Sequence, residues 1–502
     1  MPNQVSIVFD CGSTNVTVIA VDPTGRVLAS ASRPSSSSPQ PASPDGWVIW
    51  DLEAVFAKAC DACKEVMSRL DNVQIKAVTT DTCGADGAPV RADGSLTYPV
   101  ICWQDERTEV LAESFPERMS PWEAFAQTGY QIIPFDSLLR LIWLRENHPE
   151  ALDEADCFMM FAGLLSHMLC GEMSIEPTAA GTMMCMDMAR RDWSPKMLAM
   201  ADLDASFFPE WKEPGQVIGL VHQAGSAASG LPVGTPVVAA GHDTQFAAVG
   251  CGGRPGEAIL SSGTWEILML RHDRFEPNQL GLQEGLIYEC DAEPGLWNPQ
   301  LLMMGSGVLE WLRDLVYPDI AQRSDAYDVM ISEANVYGPG AGGLTLLPSF
   351  VPSTGPTKKH NTRGTLLGLE LSTERGQLYR AALEGLCFQM RHALEVLSQA
   401  TGFEGRGIRV VGGGAKNQLW NQIRADVIGQ PITITEQQEA TAIGAAMFGF
   451  VGGGVFDDVA QAQQAMDVGE IVIEPSADVA AYQRLYEGYR GAPPALEGFY
   501  TE

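Results

Sequence analysis

Three aspartates in this chain lie beside glycines and hydroxyl residues, in surroundings that could support phosphate chemistry. They are Asp10 in Phe9-Asp10-Cys11-Gly12-Ser13-Thr14-Asn15, Asp86 in Gly84-Ala85-Asp86-Gly87, and Asp243 in Gly241-His242-Asp243-Thr244-Gln245. A carboxylate can hold a divalent cation or take a proton, and a glycine–hydroxyl turn can cradle phosphate through backbone N–H groups. A second such turn, Ser261-Ser262-Gly263-Thr264-Trp265, follows Asp243. Two turns of this kind, about half a chain apart, point to a nucleotide gripped between two similar domains.

The elements that must position these residues can be read from apolar runs and turn residues. Val5 to Asp10, Val16 to Val21 and Val27 to Ser32 form an antiparallel meander, with Asp22-Pro23-Thr24-Gly25 as one turn and Asp10 to Asn15 as the other. Leu52 to Leu70 reads as an amphipathic helix and Ile75 to Thr80 as a strand. Val237 to Ala240 is a strand ending at His242-Asp243. Ala258 to Ser261 and Glu266 to Arg271 then repeat the opening strand–glycine loop–strand pattern. Helices follow at Val308 to Leu315 and Ser372 to Gln399. A strand at Ile408 to Val411 leads through Gly412-Gly413-Gly414-Ala415-Lys416-Asn417 into a helix from Leu419 to Ile428. That glycine run departs from the dinucleotide fingerprint G-x-G-x-x-G and from a phosphate loop ending in Gly-Lys-Ser/Thr, so neither fold is indicated.

At 502 residues the chain exceeds one core, and we expect two domains, 1–245 and 246–502. Its 32 basic and 63 acidic residues leave a formal charge of −31, which argues against nucleic acid or an anionic membrane as partner. It does not forbid a nucleotide, because N–H groups and a metal can bind phosphate on an acidic protein. The eleven cysteines form no disulfide or zinc framework. Cys60 and Cys63 fall within a helical stretch as two half-buried thiols, which fits a reducing cytoplasm. No stretch reaches the length of a membrane span, and the first eight residues are strand-like rather than a leader.

The order of these motifs resembles the FGGY carbohydrate kinases of the hexokinase–actin superfamily, over about Ile7 to Phe450. Gly364-x-Leu366-x-Gly368-Leu369 followed by Gln377-Leu378-x-x-Ala381-Ala382-Leu383-Glu384 is similar to the family's C-terminal pattern. Phe135-x-Ser137-x-x-Arg140-Leu141-x-Trp143 is similar to its N-terminal one, with Arg140 where Lys is usual. Gly241 to Phe246, Ser261 to Leu268 and Ser306-Gly307-Val308-Leu309-Glu310-Trp311 look most like the L-fuculokinase branch.

The resemblance implies an α/β, two-domain actin-like (ribonuclease H-like) fold with a central cleft, ATP and Mg²⁺ as cofactors, and transfer of the γ-phosphoryl group to a sugar hydroxyl. In the fuculokinase case that is the C1 hydroxyl of L-fuculose; alternatives are another ketose or polyol, or a non-catalytic ATP-binding protein of the same frame. Asp243 is expected as catalytic base and Asp10 as the metal-organising carboxylate. Gly12, Ser13, Thr14, Asn15, Gly263 and Thr264 would face phosphate, and Gly307, Gly413, Gly414 and Asn417 would lie along the adenosine. Asp86, with Ala85, is expected to take two sugar hydroxyls. Trp103 and either Thr244 or Gln245 would also reach the sugar. Asp105 and Arg107, in the family's Trp-x-Asp-x-Arg stretch, could equally form a structural ion pair. Thr17 stands where the family usually carries an arginine. A homodimer is common in the family, though no patch in the sequence identifies an interface.

Overall fold

The computed structural model describes residues 3–351, 355–356, 358–405, 407–436, 439–466 and 469–500. Two mixed sheets dominate it. The first is built from β1 (Asn3–Cys11), β2 (Asn15–Val21), β3 (Val27–Pro34), β4 (Val73–Thr82), β5 (Val217–Leu220) and β6 (Pro236–Val238), in the order β5-β6-β4-β1-β2-β3. The second contains β7 (Ala258–Ser262), β8 (Trp265–Leu270), β9 (Ile287–Cys290), β10 (Trp297–Met304), β11 (Ile408–Val411), β12 (Ile432–Thr435) and β13 (Glu470–Ile473), in the order β9-β10-β8-β7-β11-β12-β13.

The two sheets share one wiring plan. In the first, β1, β2 and β3 run antiparallel, β4 joins β1 in parallel, β6 joins β4 in parallel, and β5 closes antiparallel. In the second, β7, β8 and β10 are antiparallel, β11 joins β7 in parallel, β12 joins β11 in parallel, and β13 closes antiparallel. The repeated strand–loop–strand pattern in the sequence is therefore a repeated half-fold.

Local chemistry explains the flanking helices. In α1 (Leu52–Ser68), Leu52, Val55, Phe56, Ala59, Cys60, Cys63 and Val66 are buried at helical spacing, and the Asp51 carboxylate caps the start by accepting from the Ala54 N–H at 3.0 Å. Six more helices shape the site and the second domain: α2 (Ser137–Asn147), α3 (Asp243–Gly250), α4 (Ser306–Val316), α5 (Arg375–Thr401), α6 (Gln418–Ile428) and α7 (Ala440–Gly452). A last one, α8 (Val479–Leu496), packs on α5 and α6.

A boundary at 245/246 does not describe how the halves join. It falls inside α3, which runs unbroken to Gly250 before the loop into β7. The late helix α7 crosses back to lie on β1 and β4 of the first sheet. Two glycines permit its close crossing with α3. A methyl at Gly444 would overlap the Phe246 carbonyl oxygen, and one at Gly250 would overlap that of Ala440. The junction is thus a helix pair, one member from each end of the second half.

Candidate active site

Asp10 ends β1, Asp81 sits opposite it in the parallel register of β4, and His242-Asp243 follow β6, with Thr82 bridged to His242. Three carboxyl groups therefore gather at the carboxyl ends of three neighbouring parallel strands, where open α/β sheets form their ligand crevice. Asp81 is fully buried, and its carboxyl shares a side-chain hydrogen bond with Asp10. Burial first, then Asp10 and Asp243, push its carboxyl well above the ordinary range. Burial, with Asp243 and Glu439 nearby, raises the Asp10 carboxyl to about 7.

Between β1 and β2 the loop leaves Thr14 and Asn15 exposed and Gly12 and Ser13 half-buried. The Trp103 indole N–H donates to Ser13 Oγ at 3.1 Å, so the ring expected to reach the sugar is tied to the loop between β1 and β2. Thr17 lies opposite Ser32 on β3, with their hydroxyls 3.0 Å apart, and fills its position without any charge.

The expected bidentate grip of Asp86 on a sugar differs from what the structure holds. Asp86 is fully buried: its Oδ1 accepts from Arg140 Nη1 at 2.9 Å and its Oδ2 from the Trp50 indole at 2.6 Å. Ala85, expected beside it at the sugar, is also buried, in a left-handed conformation (φ 67°). Its N–H donates to Thr182 Oγ1 at 2.7 Å, and its carbonyl accepts from Ser137 Oγ at 2.6 Å and Arg140 Nη1 at 2.9 Å. Both residues position the turn. The reason is Arg140 on α2, which reaches Asp86 and the carbonyls of Ala85 and Cys102, a fork that a lysine ammonium could not reproduce. Asp105 and Arg107 form a fully buried ion pair (2.6 Å), with the guanidinium 4.4 Å from the Trp47 ring centroid.

Asp243 opens α3 and keeps 30% of its side chain exposed. Its Oδ1 accepts from the Thr244 N–H at 2.6 Å and hydroxyl at 3.1 Å, and lies 3.5 Å from His242 Nε2. Burial raises the Asp243 carboxyl and the His242 cation works against it. His242 Nδ1 is 3.2 Å from Glu289 Oε2 on β9. Against the effect of burial, Glu289, Asp243 and Glu176 carry the imidazole up to about 9. Glu289 also accepts from the Tyr130 hydroxyl at 2.5 Å and from Gln245 Nε2. Gln245 is accordingly fully buried and committed to Glu289, so of the two sugar candidates only Thr244 retains exposure.

In the second half, the β7–β8 loop exposes Thr264 and leaves Gly263 half-buried. The carbonyls of Gly263 and Thr264 accept from the N–H groups of Ser306 (2.8 Å), Gly305 (3.0 Å) and Gly307 (3.2 Å), locking the loop onto the start of α4. Below it, Arg424 bonds Ser262 Oγ at 2.6 Å and Glu266 Oε1 at 2.5 Å. Gly412 and Gly413 are exposed, and a side chain on Gly413 would meet open space. Gly414 and Asn417, expected along the adenosine, are used internally. Gly414 is buried, and a Cβ there would overlap Ser262 Oγ; Asn417 caps α6 by accepting from the Trp420 N–H at 3.0 Å.

Glu289, Tyr130, Glu266 and Arg424 escaped the sequence reading. For Glu289 a signal existed: an acid in the otherwise apolar run Ile287-Tyr288-Glu289-Cys290 must have a buried partner.

Two family models cover this arrangement. Residues 5–250 match the FGGY carbohydrate kinase N-terminal domain and residues 258–453 its C-terminal domain. The chain belongs to the FGGY family of carbohydrate kinases. It is 36% identical to the L-fuculokinase of Escherichia coli (strain K12) over 463 residues, covering 92% of this chain and 95% of that one. It is 38% identical to the L-fuculokinase of Salmonella typhi over the same shares. Its structure superimposes on xylulose kinase from Rhodospirillum rubrum with a TM-score of 0.88 at 25% identity, covering 98% and 99% of the two chains. This FGGY kinase is therefore a mixed α/β, two-domain, ATP-dependent sugar phosphotransferase. No helix among its described residues is long and apolar enough to cross a membrane.

Among the described residues no three His, Cys, Asp or Glu side chains gather as a ready-made metal site. That suits Mg²⁺, which is commonly held by one or two carboxylates together with substrate phosphates and water. The crowded carboxyls of Asp10, Asp81 and Asp243 at the strand ends fit such a cation.

Proposed function

We propose that this kinase transfers the γ-phosphoryl group of ATP to the C1 hydroxyl of L-fuculose, with Asp243 as the base. The observation that carries this reading is the geometry of Asp243. Its Oδ1 is occupied by Thr244 and faces His242, while its side chain remains partly open to the crevice. The other oxygen can take the proton of a sugar hydroxyl as that oxygen attacks phosphorus; the new O–P bond forms, the bond to the β-phosphate oxygen breaks, and ADP leaves. His242, held as a cation, works against the burial that raises the Asp243 carboxyl.

Gly12 to Asn15 and Gly263-Thr264 are assigned to the phosphates through N–H groups and the Thr14 and Thr264 hydroxyls. Gly307 and Gly413 are assigned to the adenosine. Asp10 would hold the Mg²⁺ that accompanies ATP, and the cation supplies neutralisation of phosphate charge. Thr244 is assigned to the sugar. Eleven free thiols, ten of them buried, support a reducing cytoplasmic setting. The high identity to L-fuculokinases over nearly the whole chain supports the choice of sugar.

ADP release from Mg-ATP with L-fuculose, D-ribulose, D-xylulose, L-rhamnulose and glycerol tests the reading. We expect kcat/KM for L-fuculose to exceed the others by about tenfold or more. A preference for another member would keep the kinase and overturn the sugar.

A further inference from the structure

On the second half, away from every loop assigned above, α5, α8 and the short turn Lys358–His360 enclose a cavity of about 240 Å³. Liquid water occupies about 30 Å³ per molecule, so the space is roughly eight waters, or a phosphoryl group with several attached atoms. Its lining is Lys359, His360, His392, Tyr489, Arg490, Pro493 and Pro494: three side chains that are or can become cations and one buried imidazole, with no carboxylate among them. That lining is unexpected on a chain of formal charge −31.

The carboxylates that pair with these groups stand outside the cavity wall. Arg490 Nη1 donates to Glu395 at 2.7 Å, Lys359 donates to Glu284, and His360 lies 3.4 Å from Glu497. Arg490 Nη1 serves Glu395 and the Tyr486 hydroxyl (3.4 Å), and a guanidinium carries further N–H groups on its other nitrogens. His392 is 7% exposed, and its Nδ1 has no hydrogen-bond partner, although a buried ring nitrogen normally finds one. Burial, with Arg490, Lys359 and His360 around it, pushes that imidazole down to about 3, so the ring lines the cavity in its neutral form. Pro493 and Pro494, on the same wall, cannot donate to the carbonyls of Tyr489 and Arg490 one turn back. Cationic side chains beside a buried neutral ring, with no carboxylate in the wall, make a site for an anion.

We propose that this cavity binds a phosphate dianion, free or as the monoester of a small polyol, through Arg490, Lys359, His360 and the buried ring of His392. The phosphoryl oxygens would take the guanidinium and ammonium donors that the outer carboxylates leave free.

Calorimetry on the full chain tests this, with the catalytic crevice filled by Mg²⁺ and a non-hydrolysable ATP analogue. The two probes are inorganic phosphate and D-fructose 1-phosphate. We expect saturable binding at one site per chain, weakened by about tenfold or more in both His392→Leu and Arg490→Gln. Each variant is checked by its own melting temperature without anion, and neither residue belongs to the catalytic crevice, so sugar phosphorylation without added phosphate should be unchanged. Tighter binding of the ester would assign a phosphorylated polyol, and tighter binding of phosphate the free ion. Absence of saturable binding by both probes, or binding unaltered in both folded variants, would overturn the site.

Discussion

His242 stands between two carboxylates of different duty, Asp243 at 3.5 Å and the buried Glu289 at 3.2 Å. Glu289 keeps the imidazole charged, and the charged imidazole lowers the carboxyl of Asp243, which burial would otherwise raise further. The sign for Glu289→Gln follows. Loss of that negative charge lowers the His242 pKa from about 9, neutral imidazole becomes more abundant near pH 7, and Asp243 loses its nearest cation. The acid limb of the kcat/KM profile should therefore move to higher pH, by about half a unit or more. A variant damaged only in packing would lower the plateau and leave the limb in place, and that result would contradict the role given to Glu289. Where Asp10 and Asp243 sit was legible in the sequence, because each follows an apolar run beside glycine or a hydroxyl. Glu289 was not, because its partners Tyr130, His242 and Gln245 are remote in sequence. Asp86 was read as a sugar ligand because nothing in Gly84-Ala85-Asp86-Gly87 shows that Arg140 and Trp50 converge on it.

At the scale of elements, the crossing of α3 and α7 carries Asp243 on one member. Gly444 on α7 abuts the Phe246 carbonyl, three residues beyond Asp243, and leaves no room for a methyl group. Gly444→Ala should cost about 1–3 kcal/mol, as overpacking of a close contact generally does. It should also lower turnover by shifting the start of α3. The urea midpoint and kcat measure both effects; a variant with wild-type midpoint and rate would show that the crossing is looser than described. The strands and α1 were legible from apolar runs, caps and turns, usually to within two residues, because those signals are local. The crossing was not, since Ala440 to Gly452 reads only as a small-residue apolar helix and nothing in its period names α3 or the first sheet as its neighbour. For the same reason a boundary at 245/246 looked natural in the sequence, although it cuts a continuous helix.

The whole molecule holds two copies of one sheet plan, joined by that helix pair, with a glycine–hydroxyl loop on each copy. Under the proposed function, closure of the halves on ATP and sugar together would keep water from accepting the phosphoryl group. The acidic surface is compatible with this because phosphate recognition is assigned to local N–H groups and a cation rather than to net charge. The duplication was legible as two glycine loops half a chain apart, whereas the choice of sugar depends on side chains lining a closed crevice. The central claim is that Asp243 is the base of a sugar kinase. The most direct measurement is single-turnover phosphorylation of L-fuculose by the wild-type chain and by Asp243→Asn, with nucleotide binding followed in parallel. The account predicts that Asp243→Asn binds ATP as the wild type does and loses about 10³-fold or more in the chemical step. Sugar phosphorylation undiminished in that variant would contradict it.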